Sequence, residues 1–262
     1  MYWTGPKVFL IGETRIIRNG LTAFLREIGA GEWNSGALSD MEELIEVMGR
    51  ICYKSFKPGL NPNVTRVREG NREYLHNVIK SRHGSVAEHG TLNFIFHNVS
   101  RVLTHELVRH RVGVAISQES LRYVRLNELG FRIPEAFLKH EKADEILAVV
   151  MDAVELVEHR ISKLEQILDF SNLNFEEKKK LTSAMRRIAP MGLSTTIGWS
   201  VNIRELRHII EMRTNRKAEE EIRIVFGKVA EIVKKRYPAL FGDFKMQIAD
   251  NHPEYFTDYS KV

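Results

Sequence analysis

Cysteine is nearly missing from this chain. Cys52 is the sole cysteine in 262 residues, which excludes an internal disulfide and a cysteine-based zinc site and predicts a cytoplasmic protein. No apolar run reaches the ~18 residues that a membrane-spanning helix needs, so no membrane partner is expected. Residues Met1–Leu10 lack a basic region followed by an apolar stretch and a cleavage site, so no signal peptide is expected. Neither a G-x-G-x-x-G turn nor a P-loop occurs, which excludes the standard dinucleotide and nucleoside-triphosphate folds. Internal repeats, low-complexity segments and linkers are also missing, and residues 1–262 read as a single domain.

What is present is a basic surplus. The formal net charge is +5 and the isoelectric point lies near 9.2. Such a balance suits anionic partners such as nucleotides, folate tails or nucleic acid, and equally suits plain solubility. The arginines are interspersed with Asp and Glu, and no nucleic-acid-binding motif appears, so nucleic acid is not the expected partner.

Strand signals concentrate early and helical ones late, which predicts the α+β class. Lys7–Gly12 reads as a strand. Asp40 with Glu43 reads as a helix cap with its reciprocal residue. Residues 58–64 read as a loop, and a helix is expected from about Arg72 to Ser81. Thr91–His97 alternates, with Leu92, Phe94 and Phe96 on one face, as a half-buried strand does. Ser100–Arg111 reads as a helix and Glu119–Leu126 as a strand. Beyond these, Ile146, Val150, Val154, Val157, Ile161 and Leu164 recur at steps of three and four. Asn174 and Glu177 open another helix by capping-box logic, and Pro190-Met191-Gly192 ends it. Thr195–Arg213 reads as a third helix, and Ile222–Val233 lies in a fourth.

Three clusters carry polar groups suited to chemistry. In the first, Arg109-His110-Arg111 ends a helix and leads to Ser117-Gln118-Glu119-Ser120-Leu121-Arg122-Tyr123. Guanidinium groups present fixed forks of donors to phosphate, and Ser120, Arg122 and nearby backbone N–H groups can form a cradle. Basic residues at a helix end also complement its dipole without any ligand. The second is His83-Gly84-Ser85-Val86-Ala87-Glu88-His89. His and Glu are metal ligands, but His105 and His110 are five apart rather than the four of the zinc-protease helix, so no metal is expected. The third is Asn202-Ile203-Arg204, then His208 and Arg213. On one helix, Asn202 and Arg213 project toward the apolar face of Ile203, Leu206, Ile209 and Ile210, while Arg204, Arg207, His208 and Glu211 lie opposite. An arginine on an apolar face requires a carboxylate neighbour or a bound anion. Cys52 reads as core packing, with nothing adjacent to make it a nucleophile.

The segment RHRVGVAISQESLRY (109–123) resembles the signature of flavin-dependent thymidylate synthases. Upstream, HGSVAEH (83–89) is similar to that family's His-x-Ser/Thr-x-x-Glu-His segment. Downstream, RRIAP (186–190) and NIRELRHIIEMR (202–213) are similar to its Arg-x-x-x-Pro and Asn-x-Arg segments, in the family's order. The resemblance implies an antiparallel sheet flanked by helices, with a helix-rich C-terminal half, and a homotetramer with active sites shared between subunits. It implies FAD bound by Ser85, Arg109, His110, Arg111, Gln118, Asn202, Ile203, Arg204 and His208. It implies dUMP bound by Glu106, Leu107, Val108, Arg109, Gln118, Glu119, Ser120, Leu121, Arg122, Arg186 and Arg213, with Arg213 polarising the uracil ring as the catalytic residue. Methylenetetrahydrofolate would supply the carbon, and FAD reduced by NADPH would supply the hydride that makes dTMP.

Three positions depart from the family pattern. Eight residues, Val112–Glu119, separate Arg111 from Ser120 instead of the usual seven. Glu106 stands where Gln is common, and His208 where Asn is common. These departures leave open a related flavin- and folate-dependent enzyme acting on a pyrimidine nucleotide, for example by hydroxymethyl transfer. A basic nucleic-acid-binding protein is the remaining alternative.

Overall fold

The alternation of Leu92, Phe94 and Phe96 does build a strand, and that strand lies inside the principal sheet. The computed structural model describes residues 2–122 and 130–260. Among these, the chain runs β1 (Tyr2–Trp3), β2 (Lys7–Glu13), α1 (Arg18–Glu27), α2 (Asp40–Tyr53), α3 (Asn71–Lys80), a 3-10 turn (Gly84–His89), β3 (Thr91–Ser100), α4 (Arg101–Leu107), β4 (Val114–Gln118) and β5 (Gly130–Phe131). It continues through α5 (Glu135–Leu138), α6 (Ala143–Leu168), α7 (Phe175–Met185), β6 (Ser194–Asn202), α8 (Ile203–Thr214), α9 (Glu220–Arg236), α10 (Pro238–Phe241), β7 (Lys245–Ala249) and β8 (His252–Phe256). The α+β expectation holds: β2, β3, β6 and β4 form one antiparallel sheet in that order, with helices against it.

One face of the sheet is apolar and covered. Leu92, Phe94, Phe96, Ile197, Trp199 and Val201 are essentially inaccessible, and Ile209, Phe226 and Val229 from α8 and α9 join the same core. Burial of each such side chain contributes about 1.5–3 kcal/mol. A second, smaller core joins Val154 and Ile161 of α6 to Met185, Leu193 and Leu121. It fixes Leu121, and with it the neighbouring Ser120 and Arg122.

Several local expectations are corrected. Thr195–Arg213 is not one helix. Its first part is β6, where Thr195, Ile197, Trp199 and Val201 are buried alternately. The break falls at Asn202, whose Oδ1 accepts the Glu205 N–H at 2.8 Å and opens α8. Of the strand expected over Glu119–Leu126, residues 119–122 are not strand and 123–126 lie outside the described residues; the strand found before them is Val114–Gln118, which pairs with Val201–Ile197. The helix expected over Ser100–Arg111 stops at Leu107. The cap of α2 is Ser39 rather than Asp40: its Oγ accepts the Glu42 N–H at 3.2 Å and donates to Glu42 Oε2 at 3.0 Å. The capping box of Asn174 and Glu177 forms as expected.

Candidate active site

The first cluster follows α4. Beyond Leu107 the chain turns through Arg109, His110 and Arg111 to Gly113, which adopts φ +61°. A β-carbon there would lie 2.0 Å from Asn202 Nδ2, and the Asn202 N–H donates to the Gly113 carbonyl at 2.9 Å. Only glycine satisfies both the backbone angle and this close approach. The loop after α4 is thereby locked to the start of α8. Arg109 and Arg111 are exposed on it, whereas His110 is buried.

Arg213, near the end of α8, meets this loop. Its Nε donates to His110 Nε2 at 2.7 Å, one terminal nitrogen donates to Glu106 Oε2 at 2.6 Å, and the other donates to the Glu106 carbonyl at 3.1 Å. Of the two partners expected for this arginine, the carboxylate is supplied by the chain itself. A guanidinium has five N–H donors, so two are left for other acceptors. His110 Nδ1 lies 3.5 Å from Glu205 Oε1. Burial, then the Arg213 cation and His208, push the His110 pKa down to about 4, against the pull of Glu106; the ring is neutral near pH 7. Arg213 and His208 line a cavity of about 540 Å³ together with Met212, Asn215, Lys217 and Ser260.

Ser85 lies in the 3-10 turn, exposed, and Arg204 stands in the first turn of α8. Both line a separate cavity of about 320 Å³. Arg204 donates to Glu88 at 2.5 Å. Tyr53 stacks on His83 at the same opening, with ring centroids 6.2 Å apart. Cys52 is exposed on this rim. The core-packing assignment for it is therefore corrected: α2 turns it outward, and its thiol donates to the Met48 carbonyl of the same helix at 3.5 Å. Ile203 is fully buried and holds the turn through its N–H to the Gly90 carbonyl at 2.9 Å.

The third group lies at the far end of β4. Gln118 donates to Thr104 Oγ1 at 3.4 Å. Glu119 Oε2 accepts the Thr196 N–H at 3.1 Å, and Ser120 Oγ accepts the Arg122 N–H at 3.3 Å. Arg101 was missed in the sequence because it counts there as an ordinary helix residue. It donates to the Glu119 carbonyl at 3.2 Å, and its Nε is buried with no partner among the described residues. Burial holds its pKa down and the nearby Arg186 cation adds to that, while Glu119 opposes them. Two neighbouring cations form a positive patch that suits an anion. Gln118 ties this group to α4, the helix that also carries Glu106.

The expectation that Arg207 faces away from the core is also corrected. It is 4% exposed, forks onto Asp243 with two contacts of 2.7 Å, donates to the Leu240 carbonyl and lies 4.8 Å from the Phe244 ring centroid. It is a structural ion pair.

The class defined here is an α+β protein with guanidinium groups at both ends of one antiparallel sheet, a donor set suited to anionic, hydrogen-bonding ligands. A family model described as thymidylate synthase complementing protein matches residues 36–239. A flavin-dependent thymidylate synthase of Corynebacterium efficiens is 32% identical over 217 residues, covering 82% of this chain and 84% of the relative. Another, of Mycobacteroides abscessus, is 36% identical over 211 residues, covering 77% and 78%. The chain belongs to the flavin-dependent thymidylate synthase family. Its fold is shared with a UMP/dUMP methylase, PolB, of Streptomyces cacaoi bound with 5-Br dUMP (TM-score 0.64, 16% identity, 92% of this chain and 96% of the other). It is shared too with Thymidylate Synthase X of Helicobacter pylori with FAD and dUMP (TM-score 0.57, 19% identity, 91% and 98%). Among the described residues no helix is long and apolar enough to cross a membrane.

Proposed function

We propose that this protein is an FAD-dependent thymidylate synthase that reductively methylates dUMP to dTMP, with methylenetetrahydrofolate as carbon donor and NADPH as reductant. The observation that carries this reading is that the family match over 36–239 spans every motif residue from Ser85 to Arg213. A flavin dinucleotide suits the donor set. Arg109, Arg111 and Arg204 offer guanidinium groups for a pyrophosphate, Ser85 offers a hydroxyl, and Tyr53 with His83 offers an aromatic rim. Gln118, Asn202, Ile203 and His208 complete the assignment that the resemblance implies. When bound, FAD supplies the hydride that completes the new methyl group.

The chain's own residues bind and polarise. Arg101, Ser120, Arg122 and Arg186 suit the nucleotide phosphate, with Gln118, Glu119 and Leu121 framing it and Glu106, Leu107, Val108 and Arg109 along the approach. Arg213 has two N–H groups to donate to a uracil carbonyl, and so orients the ring and stabilises its polarised form, in which negative charge rests on that oxygen. No cysteine nucleophile is required: Cys52 lies on the rim of the other cavity. The family resemblance supports a homotetramer in which different subunits complete each site, working in the cytoplasm.

The test is the absorption spectrum of purified protein with and without dUMP, followed by product analysis. Oxidised flavin, a dUMP-induced change in its bands, and dTMP formed with methylenetetrahydrofolate and NADPH are expected. Protein that stays colourless after FAD addition and forms no dTMP refutes the reading. The Glu106 carboxylate on Arg213 favours one second reading, a related transfer to a pyrimidine nucleotide. UMP run beside dUMP, with the product analysed for methyl or hydroxymethyl, separates the two.

A further inference from the structure

Arg213 is fixed in plane and direction by groups of its own chain. We propose that His110 is a positioning residue that aims the Arg213 fork at the nucleotide cavity, rather than a flavin ligand. This rests on the proposed function, which makes Arg213 a donor to the uracil of dUMP. The Arg213 Nε–H reaches His110 Nε2 at 2.7 Å, so Nε2 must be the unprotonated nitrogen. The neutral ring then carries its hydrogen on Nδ1, the atom that faces Glu205 Oε1 at 3.5 Å. Both ring nitrogens are engaged within the chain and the side chain is 6% exposed, which leaves no polar side-chain atom for a flavin.

The guanidinium is planar, so pinning its Nε–H pins the plane in which the terminal N–H groups lie. Glu106 closes the clamp at both terminal nitrogens. The two remaining N–H groups are therefore held in a fixed plane on a residue that lines the cavity. Glu205 holds the imidazole from the first turn of the helix that carries Arg213, so ring and fork move together.

The test uses the FAD-loaded enzyme with His110→Gln and His110→Asn. The Gln amide oxygen reaches roughly to the position of Nε2, while the shorter Asn stops near Nδ1. We expect His110→Asn to weaken dUMP binding roughly tenfold, the loss of one charge-assisted hydrogen bond's worth of order, with FAD dissociation unchanged. His110→Gln restores most of the dUMP affinity. In the ring ¹⁵N spectrum of the wild-type protein, the signal lost in both variants is that of the Nδ1–H tautomer. An Nε2–H tautomer, flavin loss with dUMP affinity intact, or equal dUMP affinity in both variants overturns the proposal. Failure of the wild-type protein to bind dUMP instead overturns the nucleotide reading, and the tautomer measurement still decides the His110–Arg213 contact.

Discussion

Replacing Arg213 by Lys tests the centre of the nucleotide reading, because it keeps the charge and removes the fork. The structure defines what is lost: the Nε–H to His110 at 2.7 Å and the paired contacts to Glu106 at 2.6 and 3.1 Å. A lysine ammonium reaches one of these acceptors and cannot hold a plane. The internal cost is modest, about 1 kcal/mol, because the Glu106 side chain is 41% exposed and solvent screens the pair. The ligand cost is larger: an aimed hydrogen bond from a charged donor is worth roughly 1.5–3 kcal/mol, or about tenfold to a hundredfold in affinity. Titration of the flavin bands with dUMP should show that weakening, together with slower methyl transfer, while FAD stoichiometry stays near wild type. Arg109→Ala is the contrast and should damage both FAD retention and dUMP binding. If Arg213→Lys lost FAD yet bound dUMP normally, Arg213 would be a structural ion pair and the assignment to the nucleotide would be wrong.

Further outcomes follow from the same contacts. Cys52→Ala should retain turnover and melt within a degree or two of wild type, because the side chain is exposed and surface changes are usually worth under about 0.5 kcal/mol; loss of turnover in folded, FAD-loaded protein would indicate a thiol-dependent route. Arg207→Ala strands the buried Asp243 carboxylate and should cost about 3–5 kcal/mol in denaturant unfolding, while folded variant still binds dUMP; an unchanged midpoint would remove the pair from the list of stabilising contacts. His110 has a pKa near 4 in the folded protein against 6.5 unperturbed, so as pH falls the unfolded chain takes up the proton first. Stability present above pH 6.5 is therefore lost progressively between 6.5 and 4, by roughly 1–3 kcal/mol after allowing for solvent near the cavity. Thermal melts across that range should show the fall, and His110→Gln should flatten it; parallel curves would assign the acid loss to other groups.

Local periodicity and capping were readable because their causes are local. Steps of three and four across Val154 and Ile161, alternation across Leu92, Phe94 and Phe96, and the reciprocal hydrogen bonds of Asn174 and Glu177 each depend on neighbours within a turn or two. The order of the polar motifs from Ser85 to Arg213 was likewise visible in the chain, and it pointed to the family. Other features had signals that were outweighed. Thr195, Ile197, Trp199 and Val201 alternate, and Asn202 with Glu205 marks a helix start, yet the following helical pattern of Leu206, Ile209 and Ile210 absorbed them into one element.

Tertiary structure alone decided that β6 lies in the sheet between β3 and β4, because strand pairing joins residues about a hundred positions apart. It also decided the fate of each arginine. Arg207 found Asp243 and became part of the core, and Arg213 found Glu106 and His110 and became a clamped donor. Helical phase gave each side chain a direction, but the energy of a buried cation depends on which anion or dipole the rest of the chain brings to it. The sequence by itself determined the motifs and the family; the pairing of distant charges determined which guanidinium groups stabilise the fold and which face a cavity.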